Sequence, residues 1–325
     1  MKYRELGNSG ISVSVVGLGT WAIGGGPWWG TGDENDSIRA IHASIDGGIN
    51  LIDTAPGYGF GYSETIVGKA IADRRDKVVL STKCGLWWDS DTGNYFFSLD
   101  GKDIHRCLKP ATIITEVDRS LQRLGTDYID ILHTHWQDVT TPIEETAACL
   151  ESLRKSGKIR SIAVSNATTD DMDKYFKECT IVANQAKYSI LDTAIETTIA
   201  DYCVEKNVGI LAYSPLEQGL LTGKVTLEHT YEASDTRSSN PWFELSKRAK
   251  VLAFLDKLAP FTQKYNCTTA QLIIAWTFEQ FGITSVLCGA RKVNNADENL
   301  AAGDLSLDKE DIIKIRELAK SAYNR

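Results

Sequence analysis

N50-L-I-D53-T-A-P-G-Y58 reads as a short apolar strand ending in an acid, followed by a stiff Pro-Gly turn ending in a phenol. Two later stretches repeat this design with other chemistry. V78-V-L-S-T-K83 ends in an ammonium, and I129-D-I-L-H-T-H135-W136 runs into an imidazole. When parallel strands alternate with helices, their C-terminal ends converge on one face, so Asp53, Tyr58, Lys83 and His135 are expected to meet there. An acid, a phenol, an ammonium and an imidazole in one pocket make a proton-donating site, which reduction of a carbonyl requires.

The flanking sequence keeps that rhythm. A short hairpin is expected over residues 3–6 and 12–15, then eight strands near 16–20, 50–53, 78–83, 128–135, 159–165, 181–184, 209–213 and 285–288. Helical patterns fall between them. In the clearest, over residues 111–124, Ile113, Ile114, Val117, Leu121 and Leu124 recur at helical spacing, and Gly125 ends it. Another opens at Thr141-Pro142, with proline at the first helical position and Glu144 and Glu145 in the first turn. No linker, repeat or low-complexity tract interrupts the series, so residues 1–325 read as a single (β/α)8 barrel domain with an N-terminal β-hairpin. Residues 84–109 and 215–245 are too long for simple turns and are expected to shape a pocket on the C-terminal face. Extra helices are expected near 246–265 and 308–322.

Composition narrows the function. The 42% hydrophobic fraction supplies a large core, and a net charge of −8 without a basic block argues against nucleic-acid binding. The opening M1-K-Y-R-E-L-G lacks the apolar core of a signal peptide. The uncharged residues 11–32 contain seven glycines and Pro27, which suits a strand and a loop rather than a membrane span. Seven cysteines, an odd number without a CxxC pair, fit reduced thiols in a cytoplasmic protein.

In the expected chemistry Tyr58 donates the proton. An ordinary tyrosine, with a pKa near ~10, is too weak an acid at neutral pH, and a Lys83 ammonium beside it is expected to lower that value. Asp53 would hold the lysine charged, and His135 would orient the carbonyl. The hydride has to come from a nicotinamide cofactor, since no side chain supplies one. Taken singly, each of these residues has a plain structural reading as an ion-pair partner, a rim residue or a satisfied core polar group. Four in the right strand order point to a site.

The chain resembles the aldo-keto reductases over nearly its whole length. The resemblance rests on G17-L-G-T-W21, D53-T-A-P-G-Y58 with G61-Y-S-E64, S81-T-K83, L121-Q-R-L-G-T-D-Y-I-D130 leading to H135-W136, G157-K-I-R-S-I-A-V-S-N166, and Y213-S-P-L-E-Q-G-L-L-T-G-K224. Several of these segments most resemble the branch that includes methylglyoxal reductases and sugar or inositol dehydrogenases. The resemblance implies a metal-free NAD(P)H-dependent reductase with Asp53, Tyr58, Lys83 and His135 as its catalytic tetrad. It also implies cofactor contacts at Gly19, Thr20, Trp21 and Asp53, with Ser165, Asn166 and Gln185 near the carboxamide and Tyr213 stacked on the nicotinamide. Ser214, Pro215, Leu216, Gln218, Gly219 and Lys224 would follow the pyrophosphate, and Gly289, Arg291, Asn295, Glu298 and Asn299 the adenosine end. Pro56 departs from the commoner pattern without changing the Asp–Tyr spacing. Arg291 and Lys292 stand where a 2′-phosphate would lie, which favours NADP(H), while Asn295 leaves NAD(H) open.

The expected substrate is a small carbonyl compound or sugar, with Trp21, Tyr58, Trp87, Trp88, His135 and Trp136 as its walls. The compound, the direction of reaction and the oligomeric state are not written in the sequence. Other readings remain. Some relatives of this fold act as cofactor-sensing binding subunits. G17-L-G-T-W-A22 matches a loose dinucleotide fingerprint, but G24-G-G-P27 follows where a phosphate-binding helix should start. His133 and His135 form the HxH seen in some barrel metal hydrolases, yet His42, His105 and His229 are expected away from strand ends, with His105 in a long loop. Cys84 is expected to turn away from the pocket into the core.

Overall fold

The computed structural model describes residues 1–323. Eight parallel strands close into a barrel in chain order: Val16–Gly19, Leu51–Asp53, Val79–Cys84, Ile129–Thr134, Ile159–Ser165, Ile181–Lys187, Gly209–Tyr213 and Ile283–Gly289. All eight expected strands form, and the sixth and eighth run longer than the sequence pattern indicates. Strand alternation sorts their side chains into two apolar layers. Leu51, Ile131, Ala163, Ala183, Leu211 and Leu287 fill the barrel. Ile52, Leu80, Leu132, Ile162 and Val164 face the surrounding helices. Each such Leu or Ile contributes about 1.5–3 kcal/mol by leaving water.

The hairpin pairs Tyr3–Glu5 with Ser12–Ser14. Its Leu6 and Val13 join the cluster inside the barrel, closing the N-terminal end and leaving the C-terminal end for a site. Gly209, the first residue of the seventh strand, fits there because a Cβ would stand 2.7 Å from Leu6.

The helix Pro110–Leu124 ends at Gly125, whose φ of 63° is the left-handed conformation glycine adopts freely. Pro142 lies just outside its helix, extended, so that helix is Ile143–Lys155, with Glu144 and Glu145 still in the first turn. The helical region expected near 246–265 holds two helices, Leu245–Asp256 and Ala259–Lys264. Pro260, which has no N–H to give to the preceding turn, opens the second. The last helix is Lys309–Tyr323. No helix among the described residues is long and apolar enough to cross a membrane.

The largest departure from expectation lies within residues 84–109. These form a three-stranded antiparallel sheet in which Lys102–Arg106 sits between Leu86–Trp87 and Asn94–Leu99. His105 is therefore a buried strand residue, not a loop residue. Opposite this central strand, Tyr95 pairs with His105 and Phe97 with Ile104, so Phe96 is the extra residue of a β-bulge. After the first barrel strand come a 3-10 turn, Trp21–Gly24, and a one-turn helix, Gly26–Trp29; neither is a nucleotide-binding helix of the fingerprint type.

Candidate active site

The third barrel strand turns Ser81 and Lys83 inward and Thr82 outward. Ser81 Oγ donates to Asp53 Oδ1 at 2.8 Å, whereas Thr82 Oγ1 donates to the buried Glu64 at 2.7 Å on the helix side. Lys83 Nζ donates to Asp53 Oδ2 at 2.6 Å, to the Thr54 carbonyl at 2.9 Å and to the Tyr58 hydroxyl at 3.2 Å. Gln185 Nε2 completes the floor with a 2.9 Å bond to Asp53 Oδ1.

Tyr58 reaches this floor from a turn in which its N–H bonds the Ala55 carbonyl. Behind the turn, the Gly-rich segment packs backbone against backbone. A Cβ on Gly59 would lie 2.2 Å from the Gly24 carbonyl oxygen, so only glycine allows the approach. His135 lies one residue past its strand, with its N–H bonded to the Cys84 carbonyl at 2.8 Å. Its ring stands edge-on to Tyr58, with centroids 6.0 Å apart. The four strand-end residues are thus brought together.

Electrostatics divide them. Burial pulls Lys83 down, but the Asp53 carboxylate and the Tyr58 hydroxyl more than offset it, so the ammonium is held above its ordinary value. For Tyr58 burial is the largest influence and raises the phenol. Lys83 lowers it, Asp53 raises it, and the result lies above the ordinary tyrosine value. The expected net lowering is therefore corrected: a desolvated phenolate costs more than one ammonium returns. The phenol carries its proton at neutral pH. Burial, then the Lys83 charge and His133, keep His135 far below its usual value and therefore neutral.

His133 lies fully buried below His135. Its Nδ1 is 3.2 Å from the Val164 carbonyl, and burial lowers its pKa to about 4. Among the described residues no three His, Cys, Asp or Glu side chains gather as a metal site. Cys84 is buried in the layer between barrel and helices.

A cavity of about 470 Å3 opens above the floor. One end is lined from the strand ends and the loops after them by a mostly polar set: Ser165, Asn166, Gln185, Tyr213, Ser214, Gln218 and Lys224, then Arg291, Asn295, Glu298 and Asn299, with Pro215, Leu216, Gly219 and Gly289 among them. Gly19, Thr20, Trp21 and Asp53 also line it. Asn166 donates to the His135 carbonyl at 3.2 Å and accepts from the Tyr213 hydroxyl at 2.9 Å, linking the two ends. Ser214, Glu217, Gln218 and Gly219 all have positive φ, which curls the backbone into a concavity suited to anions. A Cβ on Gly219 would meet nothing within 4 Å. Lys224 Nζ and Glu298 pair across the cleft at 2.6 Å, and Arg291 Nη1 donates to the Trp29 carbonyl at 2.9 Å. This donor set suits a long anionic cofactor with an amide at one end.

The other end is aromatic. Trp21, Trp88 and Trp136 line it as anticipated, but Trp87 does not. Leu86 faces the cavity, so alternation turns Trp87 outward, where its indole N–H bonds Ser90 and the Arg119 guanidinium covers its ring. Phe96 and Phe97 line it too, as expected of the aromatic-rich connection over residues 84–109, whereas Trp28, Trp29 and Phe60 line it without having been singled out. The available signal was the pair of tryptophans at 28–29.

The aldo/keto reductase family model matches residues 15–320. The chain belongs to that family. It is 43% identical to the NADH-specific methylglyoxal reductase of Escherichia coli (strain K12), over 99% of both chains. Among solved structures it resembles the glycerol dehydrogenase AKR11B4 from Gluconobacter oxydans, with a TM-score of 0.90 and 34% identity over 99% of this chain and 96% of that one. It also resembles an aldo/keto reductase from Klebsiella pneumoniae in complex with NADP and acetate, with a TM-score of 0.74 and 26% identity over 98% and 95%. This aldo/keto reductase is an NAD(P)H-dependent oxidoreductase of carbonyl reduction or the reverse alcohol oxidation.

Proposed function

We propose that the protein reduces the carbonyl of a small aldehyde, 2-oxoaldehyde or sugar, with Tyr58 as proton donor. The observation that carries this reading is Lys83 Nζ bridging Asp53 and the Tyr58 hydroxyl at the cavity floor. Neutral His135 orients the carbonyl oxygen beside that hydroxyl. When bound, the nicotinamide supplies the hydride that reaches the carbonyl carbon. As negative charge grows on the oxygen, Tyr58 delivers its proton, and the adjacent ammonium stabilises the phenolate left behind. Asp53, fixed by Ser81 and Gln185, keeps Lys83 charged and aimed. In reverse, the same phenolate accepts the proton of an alcohol.

The polar end of the cavity is read as the cofactor cradle. Ser165, Asn166 and Gln185 lie at the amide, Tyr213 at the ring, the Ser214–Gly219 curl at the pyrophosphate, and Arg291 at the adenosine ribose. On the strength of Arg291 we propose a preference for NADPH, against the name of the E. coli relative. Seven unpaired cysteines, six of them buried, agree with a cytoplasmic setting. Titrating the protein with each nucleotide while following tryptophan quenching tests the cradle. NADPH is expected to saturate at lower concentration than NADH. Equal or tighter NADH binding would reverse the preference, and no binding of either would sink the reductase reading.

A further inference from the structure

We propose that the substrate end of the cavity selects carbonyl compounds with a flat, uncharged aromatic or conjugated body over three-carbon oxoaldehydes and polyols. This rests on the reading that Tyr58 and His135 hold the carbonyl oxygen.

Ring contacts form a collar above those two groups. Tyr58 meets Trp21 at 6.5 Å between centroids, Trp21 meets Trp28 at 5.8 Å, and Trp28 meets Phe97 at 5.7 Å. Phe97 meets Phe96 at 4.9 Å, and Phe96 meets Trp136, the neighbour of His135, at 5.6 Å. The contacts are edge-on or tilted, the arrangement that holds aromatic groups together beyond the area they bury. The bulge makes this possible. In an unbroken strand Phe96 and Phe97 would face opposite ways, whereas the extra residue lets both line the cavity. Arg106, which does not line the cavity, lays its guanidinium 3.9 Å over Phe96 and 5.0 Å over Trp136 and pins both rings.

The chemistry of the collar discriminates. Its Phe side chains offer no hydrogen bond, and its Trp side chains can donate but not accept. A polyol or sugar brings several hydroxyl hydrogens, and each one left without an acceptor after desolvation counts against binding. The polar side chains that could accept them lie at the cofactor end. Thr20, beside them, already accepts from the Ser63 hydroxyl at 2.8 Å while giving its own hydrogen to the Asp53 carbonyl. No charged side chain belongs to the collar. A methyl-sized substituent would leave the rings largely uncovered, whereas an aryl group would cover them.

The test is steady-state kinetics with saturating cofactor on cinnamaldehyde and 2-naphthaldehyde against methylglyoxal and glyceraldehyde. Wild type is expected to show KM values at least about tenfold lower for the aryl compounds, the scale on which apolar pockets discriminate. Phe97→Leu keeps apolar bulk but loses the flat face, and is expected to raise the aryl KM more than the methylglyoxal KM. Arg106→Gln, which leaves the lining side chains in place, should shift the ratio the same way by a smaller factor. An equal or lower KM for methylglyoxal or glyceraldehyde overturns the selectivity and leaves the reductase reading standing. Bound cofactor without turnover of any of the four compounds overturns both.

Discussion

At the floor of the cavity, side chains are held by directed bonds: Lys83 has three hydrogen-bond partners and Asp53 accepts from Lys83, Ser81 and Gln185. At the collar, Trp21, Trp28, Phe96, Phe97 and Trp136 are held by ring faces and edges. Lys83, Asp53, Ser81 and Gln185 hang from barrel strands, whose register is fixed by neighbours on both sides. The collar hangs from an inserted sheet and a glycine-rich turn. The contrast assigns the two regions different tasks. Proton transfer tolerates little displacement, and its donor Tyr58 is bonded to the strand-borne Lys83, whereas apolar selection tolerates exchange of side chains of similar bulk.

Three measurements would break or sharpen that contrast. Tyr58→Phe keeps the ring and its contact with Trp21 but removes the proton, so turnover is expected to fall by about 10²–10⁴-fold. Nucleotide binding should persist. A fully active variant would remove Tyr58 from its assigned role. Next in size, Lys83→Met strands the Asp53 carboxylate in the barrel without its counter-charge, and breaking a buried pair in this way costs about 3–5 kcal/mol. Urea unfolding midpoints would register the loss; no change in stability would mean the floor is not held by this pair.

The third measurement concerns the joint between the regions. Glu116 accepts from the Gly85 N–H at 2.8 Å, between Cys84, whose carbonyl holds the His135 N–H, and Leu86, where the inserted sheet begins. Burial is the main cause that pushes the Glu116 carboxyl up to about 8. An acid whose folded pKa is raised gives stability that is complete below its unfolded value near 4.5 and is lost as pH rises through 8. Stability should therefore decline over that range by at most about 1.4 kcal/mol per pH unit from this group. Glu116→Gln should flatten the decline. An unchanged pH profile in the variant would mean that the carboxyl does not titrate there.

Much of the floor was legible because it obeys strand periodicity. Asp53, Lys83 and His135 each follow apolar residues that had to be barrel strands, so their convergence followed from the fold. The collar was less legible for a physical reason. N94-Y-F-F-S-L99 does not alternate, since the bulge inserts Phe96 into the pattern, and a period-of-two search reads it as loop. Trp87 and Trp88 looked equivalent, and only the short strand Leu86–Trp87 separates them into opposite faces. Trp28 and Trp29 sat in a glycine-rich stretch read only as connection. The direction of the Tyr58 shift needed the depth of the phenol, which spacing cannot give.

The bulge at Phe96 also bears on how such pockets diverge. Strand registry in the barrel is counted against two neighbours, so a change in length there would propagate around the closed sheet. The Asn94–Leu99 strand is counted only against Lys102–Arg106 and lies at an edge. Deleting one residue at 96 would restore strict alternation and leave one ring where two now stand, with every barrel residue in place. Part of the pocket's shape is thus stored in chain length, and an insertion or deletion can redraw it without a single substitution.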